Sequence, residues 1–309
     1  MPSISANAFN EKLFEPRPVP NFLIVGAARA GTTSLWHWLR QHPHVFMPRE
    51  KEPAYFVQDG FRAMTKDQYL ALFAAGQGKP CIGEASTGYL PAPESPPWIR
   101  EVLGPVKIII VLRNPVERAF SMYCFMAMMG LEPIDTFEEA LEQESRRMTS
   151  LQFRQNCFMN IRDYQYFHVG LYVDQVIRYI KTFGAERVKI LLFDDLKKDS
   201  SGFCADLCRF LEIPCLDGQA LTRENSVIVP QSISLQYRLR ALRVQTRKRL
   251  GVADRAITCL PIMAMIVNKA RGAKRTLAPA VRAELVERYR TSVEQLADLI
   301  HQDLSHWLK

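Results

Sequence analysis

No apolar run in this 309-residue sequence is long enough to cross a bilayer as a helix, which takes about 20 residues. The longest are VKIIIVL, 106–112, and ITCLPIMAMIV, 257–267, the second broken by Pro261. The first twenty residues hold no basic start followed by an apolar core, so no secretory leader is expected in them. Seven cysteines, at positions 81, 124, 157, 204, 208, 215 and 259, include no C-x-x-C pair, and no N-x-[ST] acceptor occurs. Reduced thiols in a soluble, cytoplasmic protein are the expectation. Cys204 and Cys208 stand one helical turn apart, but Phe203, Leu207, Phe210 and Leu211 around them predict core packing rather than metal ligation. The histidines show no metal spacing, so no metal site is predicted.

What is present is an ordinary globular composition, 48% apolar and 23% charged, without internal repeats or low-complexity tracts. Its one bias is a formal net charge of +8, which favours anionic ligands or surfaces. A Pro-rich lead-in over 1–20 is followed by a single domain over 21–309, with a helical insertion or extension at about 231–276.

The most informative absence is one lysine. Gly26 and Gly31 stand five apart with hydroxyls after them, as in the phosphate loop G-x-x-x-x-G-K-[ST], yet Thr32 occupies the lysine position. Residues 22–25 before the loop form a continuous apolar run, the mark of a strand buried on both faces. After it, Leu35, Trp38 and Leu39 fall on one helical stripe that ends before Pro43.

A second buried strand is predicted over 106–112, and the helix after it has Asn114 as N-cap, Pro115 at its first position and Glu117 completing a capping box. Arg113 therefore stands at the carboxyl end of a strand, where ligands of open α/β sheets collect. CIGE, 81–84, reads as a further short strand, and 188–193 as another that follows an amphipathic helix near 173–183. A helical stripe of Leu285, Tyr289, Val293, Leu296 and Leu299 runs through the C-terminal stretch. The predicted fold is a three-layer α/β domain: a mainly parallel central sheet with a P-loop-like strand-loop-helix, and a helical C-terminal part.

A glycine turn entering a helix offers unpaired N–H donors and the positive end of the helix dipole to an anion. Without the lysine, Arg29 is the loop's cation. A detached sulfuryl group is neutral, so a nucleotide sulfate can be activated by one side-chain cation, hydroxyls and backbone donors without a metal.

Two motifs here carry a family resemblance. GAARAGTTSLWHWLRQHP resembles the 5′-phosphosulfate loop of the sulfotransferases that use 3′-phosphoadenosine 5′-phosphosulfate (PAPS), and VLRNPVERAFSMY resembles their 3′-phosphate motif. REKEPAYF, GEASTGYL, the stretch 170–199 and the ending DLSHWL are similar to bacterial and glycan-type members, so the resemblance spans roughly Asn21 to Leu308. It implies that Arg29, Ala30, Gly31, Thr32, Thr33 and Ser34 hold the 5′-phosphosulfate, and that Arg113 and Ser121 hold the 3′-phosphate. The frequent loop lysine of the family is replaced by Arg29, which forks onto two oxygens but is a poor proton donor, so it acts electrostatically on the leaving oxygen.

The attacking acceptor must lose a proton, and Glu52 aligns with the catalytic glutamate of the glycan-type enzymes. Lys51 beside it is assigned to the sulfonate. Glu84 stands second as base, and His42 or His44 third. Ala85 replaces a lysine of some glycan enzymes, which weakens the case for a polysaccharide acceptor. The expected reaction is sulfuryl transfer to a hydroxyl, or less readily an amine, of a small molecule, lipid or glycan, releasing 3′-phosphoadenosine 5′-phosphate (PAP). Two rival readings compete: a divergent ATP- or GTP-dependent kinase, for which Asp194 or Asp195 would bind Mg²⁺, and a non-catalytic binder of anions or membrane surfaces. The basic stretch 238–275 is compatible with weak membrane-surface contact, whereas no motif supports nucleic-acid binding.

Overall fold

Strand β1, Phe22–Gly26, is fully buried because it is the middle strand of a five-stranded sheet. This computed structural model describes residues 18–58, 64–216, 221, 228–250, 264–268, 270 and 272–309. The other strands are β2 (Val45–Phe46), β3 (Cys81–Ala85), β4 (Lys107–Leu112) and β5 (Val188–Leu192). The sheet order is β2-β3-β1-β4-β5, and every neighbouring pair is parallel. Leu23 is in register with Glu84 on one side and Ile108 on the other, and Ile110 pairs with Ile190. The carboxyl ends of β1, β3, β4 and β5 therefore share one edge, the binding edge of an open parallel sheet.

The connecting helices cover the sheet as the alternating pattern requires. They include α1 (Thr32–Arg40), α2 (Lys66–Ala71), α3 (Ser95–Leu103), α4 (Pro115–Met128) and the short α5 (Phe137–Glu142), α6 (Glu144–Thr149) and α7 (Leu151–Asn156). After these come α8 (Tyr172–Phe183), α9 (Phe193–Lys198), α10 (Ser200–Leu211), α11 (Ile233–Leu250) and α12 (Pro279–Ile300). The stripe expected on α12 is buried at Leu285, Tyr289, Val293 and Leu296, and Cys204 and Cys208 are buried core residues of α10.

Three local expectations are adjusted. Phe193 begins α9 rather than ending β5, with Asp194 and Asp195 in the first helical turn, where the dipole favours them. Asn114 caps α4 by accepting from the N–H groups of Val116 (3.0 Å) and Glu117 (3.3 Å), but the Glu117 carboxylate turns away to Arg282 and Arg113 instead of closing a capping box. Asp194 accepts from Trp307 Nε1 at 2.6 Å, so it pins the C-terminal turn, and Asn114 Nδ2 donates to the Trp307 carbonyl. Cys259 and, within the basic stretch 238–275, residues 251–263, 269 and 271 lie outside the described residues.

Candidate active site

Segments distant in sequence converge at the carboxyl edge of the sheet. The first is the glycine loop. Gly31 has φ 84°, and a Cβ there would lie 2.9 Å from the Phe193 ring, so both backbone conformation and contact require glycine. It heads α1 with no side-chain cap and no acidic residue in the first turn. The N–H groups of Thr32, Thr33 and Ser34 are thus the orphan donors of a helix N-terminus.

Arg29, itself at φ 68°, donates from Nε to Ser121 Oγ at 3.2 Å and lies 4.8 Å over the Phe125 ring. Arg113 donates to the Arg29 carbonyl at 2.9 Å and stacks 5.1 Å over Phe193. Its contact to Glu117 is long, 3.6 Å, and Glu117 is shared with Arg282. Burial first, and then the neighbouring Arg113 charge, hold Arg29 below the ordinary arginine range. Burial does the same to Arg113, against the opposing pull of Glu117. Two largely buried guanidinium groups beside an uncapped helix start form an arrangement that an anion would complete.

The second segment carries the carboxylate. Glu52 and Ala54 both have left-handed backbone, φ 60° and 54°, uncommon for residues with a Cβ. The loop is held there by Glu52 N–H to the Ala85 carbonyl (3.0 Å) and Ala54 N–H to Ser86 Oγ (3.0 Å). Thr87 donates its N–H to Glu52 Oε2 (2.7 Å) and its hydroxyl to Oε1 (3.1 Å), and Lys51 Nζ pairs with Oε1.

Both segments face one cavity of roughly 440 Å³, lined by Arg29, Thr32, Thr33, Lys51, Glu52 and Thr87. The rest of the lining combines apolar Val57, Pro91, Met122, Phe125, Met159 and Val169 with polar Asn160 and Gln165. Three charged residues of the lining, Arg118, Arg162 and Asp163, were not singled out from the sequence. Arg118 lies one turn beyond the Asn114 cap, inside the motif, which was a usable signal. Asp163 comes from the 3-10 turn Ile161–Tyr164, whose fold position no motif announces. Burial first, then the charge of Glu52, opposed by Arg118, push the Asp163 carboxyl up to about 7.

Ala30 is buried within the loop, and Ser34, Arg113 and Ser121 stand beside it without lining the cavity. Ser121 is in contact with Arg29, a positioning link that the sequence did not suggest. Two candidate bases are corrected. Glu84 is fully buried in β3, with the hydroxyls of Tyr69 and Ser86 donating to its oxygens at 3.3 Å, and is no part of the cavity lining. His42 and His44 sit past the far end of α1, roughly 13 Å of helix from the loop. His42 is buried there, accepting from His44 N–H at Nδ1 (3.1 Å), which leaves Nε2 to donate to the Pro214 carbonyl (2.8 Å).

The sequence model of the sulfotransferase domain family matches residues 19–226, more than half of the chain. The chain belongs to that family. A solved sulfotransferase from Alicyclobacillus acidocaldarius has the same fold, with a TM-score of 0.68 at 29% identity, covering 94% of this chain and 100% of that one. Among curated relatives, the membrane-associated sulfotransferase kil1 of Dictyostelium discoideum is 35% identical over 112 residues, which are 35% of this chain and 23% of that protein. Mouse carbohydrate sulfotransferase 15 is 27% identical over 242 residues, covering 60% of this chain and 42% of its own. The chain thus spans less than half the length of these curated relatives.

Proposed function

We infer that this chain is an enzyme that moves a sulfuryl group from PAPS to an acceptor hydroxyl, or less readily an amine, and releases PAP. The observation that carries the reading is the uncapped, acid-free start of α1 flanked by the half-buried Arg29 and Arg113, with Arg29, Thr32 and Thr33 lining one cavity with Glu52. The donor set fits a nucleotide carrying two anionic groups: the loop N–H groups and Arg29 for the 5′-phosphosulfate, Arg113 with Ser121 for the 3′-phosphate. When bound, PAPS supplies the sulfuryl group and a phosphate leaving group.

Arg29 stabilises negative charge on the leaving oxygen without giving up a proton, because a guanidinium stays charged. Glu52 takes the acceptor's proton. A carboxylate has about four lone-pair sites, and Thr87 and Lys51 occupy three of those on Glu52, which orients the group and leaves room for one more donor. The apolar part of the lining supports an acceptor with substantial apolar surface, a small molecule or lipid, over a polysaccharide. The free thiols among the described cysteines support the reading of a cytoplasmic protein, and no described helix is long and apolar enough to cross a membrane.

Titration calorimetry with PAP tests the reading. Binding without added metal, and a preference for PAP over Mg²⁺-ATP, is the expected result. A preference for Mg²⁺-ATP would favour a kinase, and failure to bind PAP at high micromolar concentration would overturn the sulfotransferase assignment.

A further inference from the structure

Four of the eight exposed large apolar side chains among the described residues lie on or beside one helix. Leu235 and Leu242 are 46% and 52% exposed on α11, and Ile266 and Val267 are 55% and 45% exposed on the helical residues 264–268. These two pieces are adjacent, because Asn268 Nδ2 donates to the Ser232 carbonyl at 2.7 Å and to Gln236 Oε1 at 2.9 Å. Leu235, Arg238 and Leu242 follow one another at helical spacing on the exposed face. The sequence of α11 holds six arginine and lysine residues and no aspartate or glutamate over Ile233–Leu250; of those with described side chains, Arg238 is exposed, Arg243 is half-buried and Arg240 turns inward onto Phe158.

We propose that this face of α11, with Ile266 and Val267 beside it, seats on an anionic lipid bilayer. Charge complementarity selects the partner's sign, and the exposed apolar groups select a bilayer over a soluble polyanion, which gives leucine and isoleucine nothing to enter. A second copy of the same face would bring like charges together. Single-stranded nucleic acid is recognised by stacking on aromatic rings, but Tyr237 packs its ring on Phe158 at 5.5 Å.

The seating leaves the inner face of α11 packed against the cavity wall. Arg240 donates to the Met129 carbonyl at 2.9 Å and lies 5.5 Å over Phe158, and Phe158 is followed directly by Met159 and Asn160 of the cavity wall. Tyr237 and Arg240 fall on the side of α11 opposite Leu235, Arg238 and Leu242, so the helix stands between the seated bilayer and the cavity wall. The seating does not rest on the sulfotransferase reading.

The test is co-sedimentation of the full chain with phosphatidylcholine vesicles with and without phosphatidylglycerol, alongside PAP calorimetry on the same preparations. Binding to the anionic vesicles that falls as salt is raised is the expected result. Arg238→Gln is expected to weaken it by roughly fivefold. The pair Leu235→Ser and Leu242→Ser is expected to weaken it further, with the melting temperature and PAP affinity of wild type retained. Equal binding to neutral and anionic vesicles, or unchanged binding by both variants, overturns the proposal. So does a surface on which soluble heparin binds and the leucine changes have no effect, or a self-association of the chain that the leucine changes abolish. Because vesicle binding is read without turnover, it can succeed or fail independently of PAP binding.

Discussion

Glu52 sits in left-handed backbone at φ 60° with its carboxylate already engaged by Thr87 and Lys51. Such conformations cost of order 1–3 kcal/mol and persist where surrounding contacts enforce them. The enforcement here comes from the Ala85 carbonyl and the Thr87 donors, and it aims one carboxylate into the cavity. Glu52→Gln keeps shape and most hydrogen bonds but removes proton affinity. Turnover is expected to fall by roughly 10²–10⁴. Calorimetric PAP affinity should stay near wild type, since Glu52 is placed on the acceptor side. Arg113 makes the complementary case on the donor side. Arg113→Ala should weaken PAP by at least an order of magnitude, about the 1.5–3 kcal/mol of a charged hydrogen bond, and adenosine 5′-phosphate much less. Equal losses for the two nucleotides would remove Arg113 from the 3′-phosphate.

The strand-loop-helix made of β1, residues 27–31 and α1 was legible in the sequence because its signals are local: an apolar run, two spaced glycines and a 3.6-residue stripe. The same holds for β4, Asn114 and α4, where a cap and a proline announce the helix start. Thr87, Arg162 and Asp163 were not legible as site residues, because parallel topology and a 3-10 turn bring them to the edge from distant positions. Glu84 and the histidines misled because sequence proximity to a motif does not say which sheet edge or which face a side chain takes. The loop also makes a prediction of its own. Gly31→Ala combines a positive φ with a Cβ placed 2.9 Å from Phe193, so α1 must shift or Phe193 must move. Loss of PAP binding larger than the loss of melting temperature is expected, measured by calorimetry and thermal unfolding on the same variant. An alanine protein that binds PAP normally would show that the helix start is not the phosphosulfate site.

At the scale of the molecule, the sheet buries a carboxyl group whose protonation is coupled to folding. Burial of Glu84, opposed most by the Tyr89 hydroxyl and less by those of Ser86 and Tyr69, and reinforced by the charge of Glu52, raises its carboxyl from the usual 4.5 to about 8. The folded state therefore holds this proton more tightly than the unfolded chain does. Below pH 4.5 both states are protonated and the group adds no pH dependence. Above it the unfolded chain releases the proton first, so stability contributed by the neutral carboxyl is lost as pH rises toward 8, at a slope of up to about 1.4 kcal/mol per pH unit. Glu84→Gln keeps the neutral shape and removes the titration. Its stability relative to wild type is expected to be nearly constant at acid pH, to increase between pH 4.5 and 8, and to level off above 8. Denaturant unfolding of both proteins across that range measures the difference directly, and parallel curves would mean that Glu84 does not hold its proton in the folded sheet.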